Sequence, residues 1–462
     1  MKSTGPSTFD ATAITTLPVQ DSNTEGRNCL GRYRKFILLI LTLNIISAAL
    51  FIGLTNRPVF DDPYNIVDVQ RYAHTGFSIA TVLSQQNPPG PSSFLWMAIG
   101  VRLLGGEVLR DARIAALVSW VILSVGVLVG ARFGRFPRIW YGALLATLIF
   151  PHSVTATGTV LTEGPALVFA VLGSLAWIEF ISRTRPTASC LLLGMLGGLS
   201  MGIAVTCRQY YLALLPAAGF FALLQSRRLA SIEKFRWSLG VILSLILASV
   251  PVILLVMVWR GISSPGMATG TSYDMWQAGV GLNVFRPAAA AFYSCLYLVP
   301  LAFPVLWRVH HQTRRRPLLV ASLGGIVVAY FGSFLLQPGP LDKLVRAASR
   351  LPHGDFVLLA LIATLTIYTA IAIGRLLWNE REHVMSCPPL LFALLAIGFF
   401  IGEQLGVGGN LPLYDRYLLQ FAPFFGVVAF SLSPRLTRYR LLAFAAFSVI
   451  SHVMLWRYAF GT

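Results

Sequence analysis

Apolar runs recur along the whole chain, most of them about 15–22 residues long, and short polar segments divide them. Runs of that length predict membrane-spanning helices. Strands of a transmembrane barrel would be shorter and would alternate in polarity. The predicted spans are 36–54, 112–131, 138–150, 164–181, 188–205, 210–225, 238–259, 288–307, 317–336, 355–377, 389–404, 417–431 and 441–458. The expected architecture is therefore an all-α polytopic membrane protein of about 13 transmembrane helices. One apolar piece, Ser92 to Gly105, is too short to cross and sits inside the polar stretch 55–111. We read it as a helix lying at the interface. Residues 1–35 are rich in Ser, Thr and Asn and then turn basic, which predicts a disordered cytoplasmic tail ahead of a transmembrane domain over 36–462.

Composition agrees with this reading. The chain is 56% hydrophobic and 12% charged, with a mean hydropathy of +0.70. A net charge of +18 would suggest nucleic acid in a soluble protein. Here topology explains it, because Lys and Arg gather in cytoplasmic loops. If Ser92–Gly105 does not cross, the clusters Arg132/Arg135/Arg138, Arg227/Arg228/Lys234/Arg236 and Arg314/Arg315/Arg316 all fall on one side. If it crosses, every later loop changes side and the bias is lost. The expected orientation has the N-terminus in the cytoplasm and loops 55–111 and 260–287 outside. A bacterial inner membrane suits the chain better than the endoplasmic reticulum. The five cysteines show no metal-type spacing and read as unpaired. P-loop and dinucleotide-binding glycine fingerprints are absent.

Candidate chemistry collects on the outer side. Asp61, Asp62 and Asp68 lie in the first loop, Glu163 heads one span, and Arg208-Gln209 forms a tight turn between two others. Asp415-Arg416 precedes the span at 417, and Glu403 ends another. Ionisable groups at membrane depth are costly unless paired or functional. Carboxylates beside arginines suit a phosphate-bearing ligand with a base nearby. Each group also has a plainer role. Asp62, Asp68 and Glu163 can cap helices, Arg208 can reach a lipid headgroup, and Asp415-Arg416 can form a local pair. A divalent ion at Asp61, Asp62 and Glu163 is chemically admissible, without any spacing to support it. The stretch Thr269-Gly270-Thr271-Ser272-Tyr273-Asp274 has the Gly and Ser content of a mobile lid.

These residues also carry a resemblance. Phe60 to Tyr72, with Asp61-Asp62, Gln70-Arg71-Tyr72 and then Pro88-Pro89-Gly90, resembles the first luminal loop of the dolichyl-phosphate-glucose-dependent α-1,2-glucosyltransferases. Cys207-Arg208-Gln209 and Leu161-Thr162-Glu163 are similar to further motifs of that family. Tyr414-Asp415-Arg416-Tyr417-Leu418-Leu419 resembles a late run in bacterial members of the wider GT-C glycosyltransferase superfamily, which includes protein mannosyltransferases and lipid A aminoarabinose transferases. The chain departs from the glucosyltransferases at Asp62, where they have Glu, at Pro63, and at Tyr210-Tyr211, where they have Thr-Asn.

The resemblance implies an inverting transfer of sugar from a polyprenyl-phosphate or dolichyl-phosphate carrier to a glycan, lipid or protein acceptor outside the cytoplasm. It implies Asp61 as base, with Asp62 second in line and Glu163 orienting. Arg208, Gln209, Asp415 and Arg416 would bind donor phosphate and substrate, and Gln70 and Tyr72 would support them. No cofactor is implied. The competing reading is a transporter or flippase of lipid-linked glycans. That reading calls for charges at mid-span and matching halves, whereas these charges cluster at span ends.

Overall fold

The computed structural model describes residues 23–460 apart from 184–186, 228–230, 262, 270–281, 313–315, 333–334, 336–339, 407–412, 414 and 434–435. A few helical side chains, that of Asp415 among them, are also outside the description. The N-terminal residues 1–22 and most of the candidate lid fall outside it too.

Every regular element among the described residues is helical. Helix α1 is Asn23–Leu54, and the first loop carries α2 (Asp62–Thr75), α3 (Ile79–Leu83) and α4 (Pro91–Leu104). Next come α5 (Val108–Phe133), α6 (Pro137–Leu148), α7 (Ser153–Gly158), α8 (Glu163–Ile181) and α9 (Ala188–Cys207). A 3-10 turn, Gln209–Ala213, leads into α10 (Leu214–Ser226) and α11 (Ser231–Trp259). The remainder is α12 (Phe285–Gln312), α13 (Arg316–Phe331), α14 (Pro340–Ala348), α15 (Gly354–Asn379), α16 (Arg381–Ser386) and α17 (Pro388–Glu403). A second 3-10 turn, Asp415–Phe421, precedes α18 (Ala422–Leu432), and α19 is Arg438–Phe460.

Among the described residues, eight helices are long and apolar enough to cross a membrane, from Tyr33–Leu54 to Arg438–Phe460. At 1.5 Å per residue the 26 residues of α5 reach about 39 Å, against about 30 Å of hydrocarbon. Their outer faces are apolar: Leu239, Ile242, Ile246, Ile253 and Leu254 of α11 are all exposed. A soluble protein would not present such a surface, and lipid covers it without cost. The chain is an all-α polytopic membrane protein.

The other predicted spans are also helical, but shorter. Helix α6 has 12 residues and α18 has 11, and α18 is buried along its whole length. They pack together at the centre of the bundle. A Cβ on Gly426 would lie 2.7 Å from Ala143 Cα. Between α9 and α11 the backbones touch more closely still. A Cβ on Gly198 would lie 2.1 Å from Ser244 O, so only glycine allows this crossing. Apolar side chains gain little by leaving lipid for protein, so such small-residue contacts are what hold membrane helices together.

The first loop builds a small helical cap on the bundle. Helix α4 is too short to cross and buries Phe94, Met97, Ala98 and Val101 along one stripe. That stripe meets Val69 and Tyr72 of α2, Leu109, Ala112 and Ala115 of α5, and Trp259. On α2 the buried positions are Asp62, Asn65, Asp68, Val69 and Tyr72, which recur at helical spacing. Sequence periodicity thus explains why α2 lies with a polar and aromatic face inward.

Candidate functional site

The site begins where α2 begins. Phe60 has a left-handed backbone (φ +56°), a costly conformation for a bulky residue. Its ring lies 5.4 Å from that of Tyr458 and 4.8 Å from the Arg416 guanidinium. This turn presents Asp61 as the N-terminal flank of α2, with Pro63 in the first helical turn.

Asp61 and Asp62 then part company. Asp61 Oδ2 meets Arg416 Nη1 at 2.6 Å, and the Asp61 side chain keeps 26% of its surface exposed. The Asp62 side chain is fully buried. Its Oδ2 accepts from Arg113 Nη2 at 2.5 Å, Arg113 Nε at 3.2 Å and Val59 N at 3.1 Å. Its Oδ1 accepts from Val160 N at 2.6 Å. Burial pushes the Asp62 carboxyl upward, and the Arg113 charge and the backbone donors oppose that shift. Arg113 is itself buried in α5 and also donates to the carbonyls of Thr55 and Arg57, at 2.5 and 2.9 Å.

A second acid–arginine pair lies alongside the first. Glu163 opens α8 and pairs with Arg208, the residue that ends α9. Among the described residues the second Glu163 oxygen, Oε2, has no hydrogen-bond partner. Tyr417 sits between the two pairs, its ring centre 5.8 Å from the Arg208 guanidinium and 5.3 Å from that of Arg416. The Tyr210 ring lies 4.9 Å from Tyr417. Beyond it, the Tyr210 hydroxyl accepts from Arg286 Nη2 at 3.2 Å, and Arg286 Nε donates to Gln404 Oε1 at 2.9 Å.

The loop before α4 is clamped to the same corner. Gly90 N donates to Cys207 O at 2.9 Å, and Gln209 Nε2 donates to Pro88 O at 2.6 Å. A Cβ on Gly90 would lie 1.9 Å from Thr206 O, so the Pro-Pro-Gly turn needs its glycine to approach this closely. Asp68 shapes the same loop from behind. It accepts from the backbone nitrogens of Gln86 and Asn87 and pairs with Arg71 at 2.7 Å. Burial pushes this carboxyl upward as well.

The structure thus brings together Asp61, Glu163, Arg208 and Arg416 from four separate elements, with Gln209 beside them. Gln70 and Tyr72 do not join the group. Tyr72 is buried against Phe77 and Phe94, and its hydroxyl lies 3.1 Å from Gln85 Oε1. Gln70 is exposed, two residues and about 200° round α2 from both Asp68 and Tyr72. Asp415 opens the second 3-10 turn, its side chain outside the description. The spacing of motifs along the sequence missed Arg113, Arg286 and Gln404, and gave Tyr417 no role of its own. The signal for Arg113 was available, since an arginine inside an apolar span needs a partner. Among the described residues, no three His, Cys, Asp or Glu side chains are grouped so as to hold a metal ion. The carboxylates of Asp61, Asp62 and Glu163 each face an arginine instead. The four described cysteines are free.

No protein-family model matches the sequence, and no curated protein matches it. Two solved structures are similar in arrangement. A crystal structure of ArnT from Cupriavidus metallidurans bound to undecaprenyl phosphate is 16% identical, over 92% of this chain and 78% of that one, with a TM-score of 0.43. The apo crystal structure of the same protein is 15% identical, over 93% and 78%, with a TM-score of 0.42.

Proposed function

We propose that this chain is an inverting GT-C-type glycosyltransferase. It moves a sugar from a polyprenyl-phosphate carrier to an acceptor hydroxyl on the non-cytoplasmic side of the membrane. One observation carries the reading. The Asp61 carboxylate remains partly open to solvent, in contact with Arg416, while a second acid–arginine pair lies across Tyr417.

The chemistry follows from that pairing. A donor phosphate competes with Asp61 for Arg416, and charge-assisted contacts to both arginines hold it. Entry of the phosphate draws Arg416 away and frees the Asp61 carboxylate to accept a proton. The acceptor hydroxyl gives its proton to Asp61 as its oxygen bonds the anomeric carbon. The bond from that carbon to the phosphate oxygen breaks on the opposite face, and the polyprenyl phosphate leaves with the electron pair. This leaving group needs charge stabilisation more than a proton, which suits arginines rather than a general acid. Glu163 holds Arg208 in place. Asp62, with all its surroundings committed to Arg113 and backbone donors, supports the turn rather than the reaction. No step needs a cofactor.

The test is transfer itself. Membranes containing the chain are incubated with labelled polyprenyl-phosphate sugars, and label is followed into endogenous glycan, lipid or protein. Transfer that Asp61→Asn abolishes is the expected result. Transfer by Asp61→Asn at the wild-type rate would remove Asp61 as base. For sidedness, a reporter fused after Arg138 should read cytoplasmic.

A further inference from the structure

The segment that leads into Glu163 is tied to the helix that carries Asp61 through one residue, Val160. Val160 lies in the brief link between α7 and α8, three residues before Glu163, at a tight turn in which Leu161 N donates to Thr159 O at 2.8 Å. Both polar groups of its main chain are held by α2. Val160 N donates to Asp62 Oδ1 at 2.6 Å, and Val160 O accepts from Asn65 Nδ2 at 2.7 Å. Asp62 and Asn65 are three residues apart, so they lie on one face of the helix and grip the link at two points. Asn65 is buried, at 4% exposure. The grip is anchored in turn by Arg113, which holds Asp62 and the carbonyls of Thr55 and Arg57. Asp61 is the residue immediately before Asp62.

We infer that Asn65 is a positioning residue: together with Asp62 it clamps the Val160 main chain and so sets Glu163, and the arginine it holds, against Asp61. The inference rests on the functional reading above. Two hydrogen bonds of opposite polarity to one residue fix both its position and its rotation, which a single contact or an apolar side chain does not. The amide also suits the place better than a carboxylate, because an ionised acid there would face the Val160 carbonyl oxygen and the neighbouring Asp62. Reaction rates are sensitive to misplacement of about 1 Å in a reacting constellation. Loosening this link leaves the Arg208 charge in place to bind the donor but shifts it against the reacting bond, and so acts on turnover more than on binding.

The test uses the full chain in lipid nanodiscs, with Asn65→Leu and Asn65→Asp beside the wild type. Folding is checked by elution profile and thermal transition. Hydrogen exchange is followed over the peptide containing Val160, and kcat and donor KM are measured per folded molecule. In Asn65→Leu, exchange at Val160 should rise about tenfold or more. Its kcat should fall about ten- to hundredfold, with donor KM within about twofold. Asn65→Asp should be impaired at neutral pH and recover as the pH falls, because a protonated carboxyl can again donate to Val160 O. Asn65→Leu should show no such recovery, and a purely structural role would not produce this difference. Wild-type kcat in both variants, or a loss explained entirely by unfolded protein, would overturn the inference. So would unchanged exchange at Val160. Absence of transfer by the wild-type chain would sink the functional reading alone, since the exchange measurement tests the clamp without it.

Discussion

Asp61 and Asp62 are neighbours in sequence and opposites in setting. Both contact an arginine, at 2.6 and 2.5 Å. Asp62 is sealed in, and its two oxygens accept from Arg113 and from two backbone nitrogens. Asp61 has its arginine at the edge of the solvent-accessible surface. Successive residues at a helix start point about 100° apart, so one faces Arg113 of α5 and the other Arg416 of the turn Asp415–Phe421. A paired carboxylate is therefore no guide to role by itself. What separates a strut from a reactive group is whether its partner can be exchanged for another ligand. Under the proposed function Arg416 exchanges Asp61 for a donor phosphate, whereas Arg113 is held by Asp62 and two backbone carbonyls.

This comparison can be broken in a definite order. Asp61→Asn should cost transfer about 10²–10⁴-fold, the range for loss of a general base, while elution profile and thermal transition stay as in the wild type. Asp62→Asn should do the reverse, destabilising the fold by about 3–5 kcal/mol because Arg113 is left buried and uncompensated. Thermal unfolding in a mild detergent measures this. The double change Asp62→Leu with Arg113→Met should lose much less than either single change, and a loss as large as the sum would argue against the pair being a closed unit. Arg208→Gln and Arg416→Gln should weaken donor use about ten- to hundredfold, seen as a higher donor KM, with acceptor KM little altered. Equal losses on both substrates would make the arginines structural. Gln70→Ala should have the smallest effect, within about 0.5 kcal/mol in stability and twofold in turnover, since its side chain faces away from the site.

Much of the architecture was legible because lipid demands long apolar runs, and such runs are hard to disguise. The interfacial reading of Ser92–Gly105 likewise matches the short helix α4, which buries one stripe and leaves Leu103 and Leu104 exposed. Asp61, Glu163, Arg208 and Arg416 stood out because carboxylates and arginines collect together on the outer side of the predicted spans. Legibility failed where helical geometry intervened. Gln70 and Tyr72 share a motif with Arg71, yet successive helix positions send them to different surroundings. Arg113 and Arg286 were hidden for another reason. Each lies near the head of an apolar run, where an arginine passes for a boundary residue; that Arg113 needs a partner was readable, but only tertiary contacts reveal which groups serve.

The central pair α6 and α18 has a consequence for how the protein is made. Twelve residues of helix reach only about 18 Å, too little to settle alone across a bilayer. The partner that receives α6 is synthesised only after α7 to α17. Until α18 arrives, α6 has to be sheltered by the insertion machinery or by neighbouring helices. A nascent chain arrested before residue 422 should therefore leave α6 accessible to water-soluble thiol probes at an introduced cysteine. The completed chain should protect the same position.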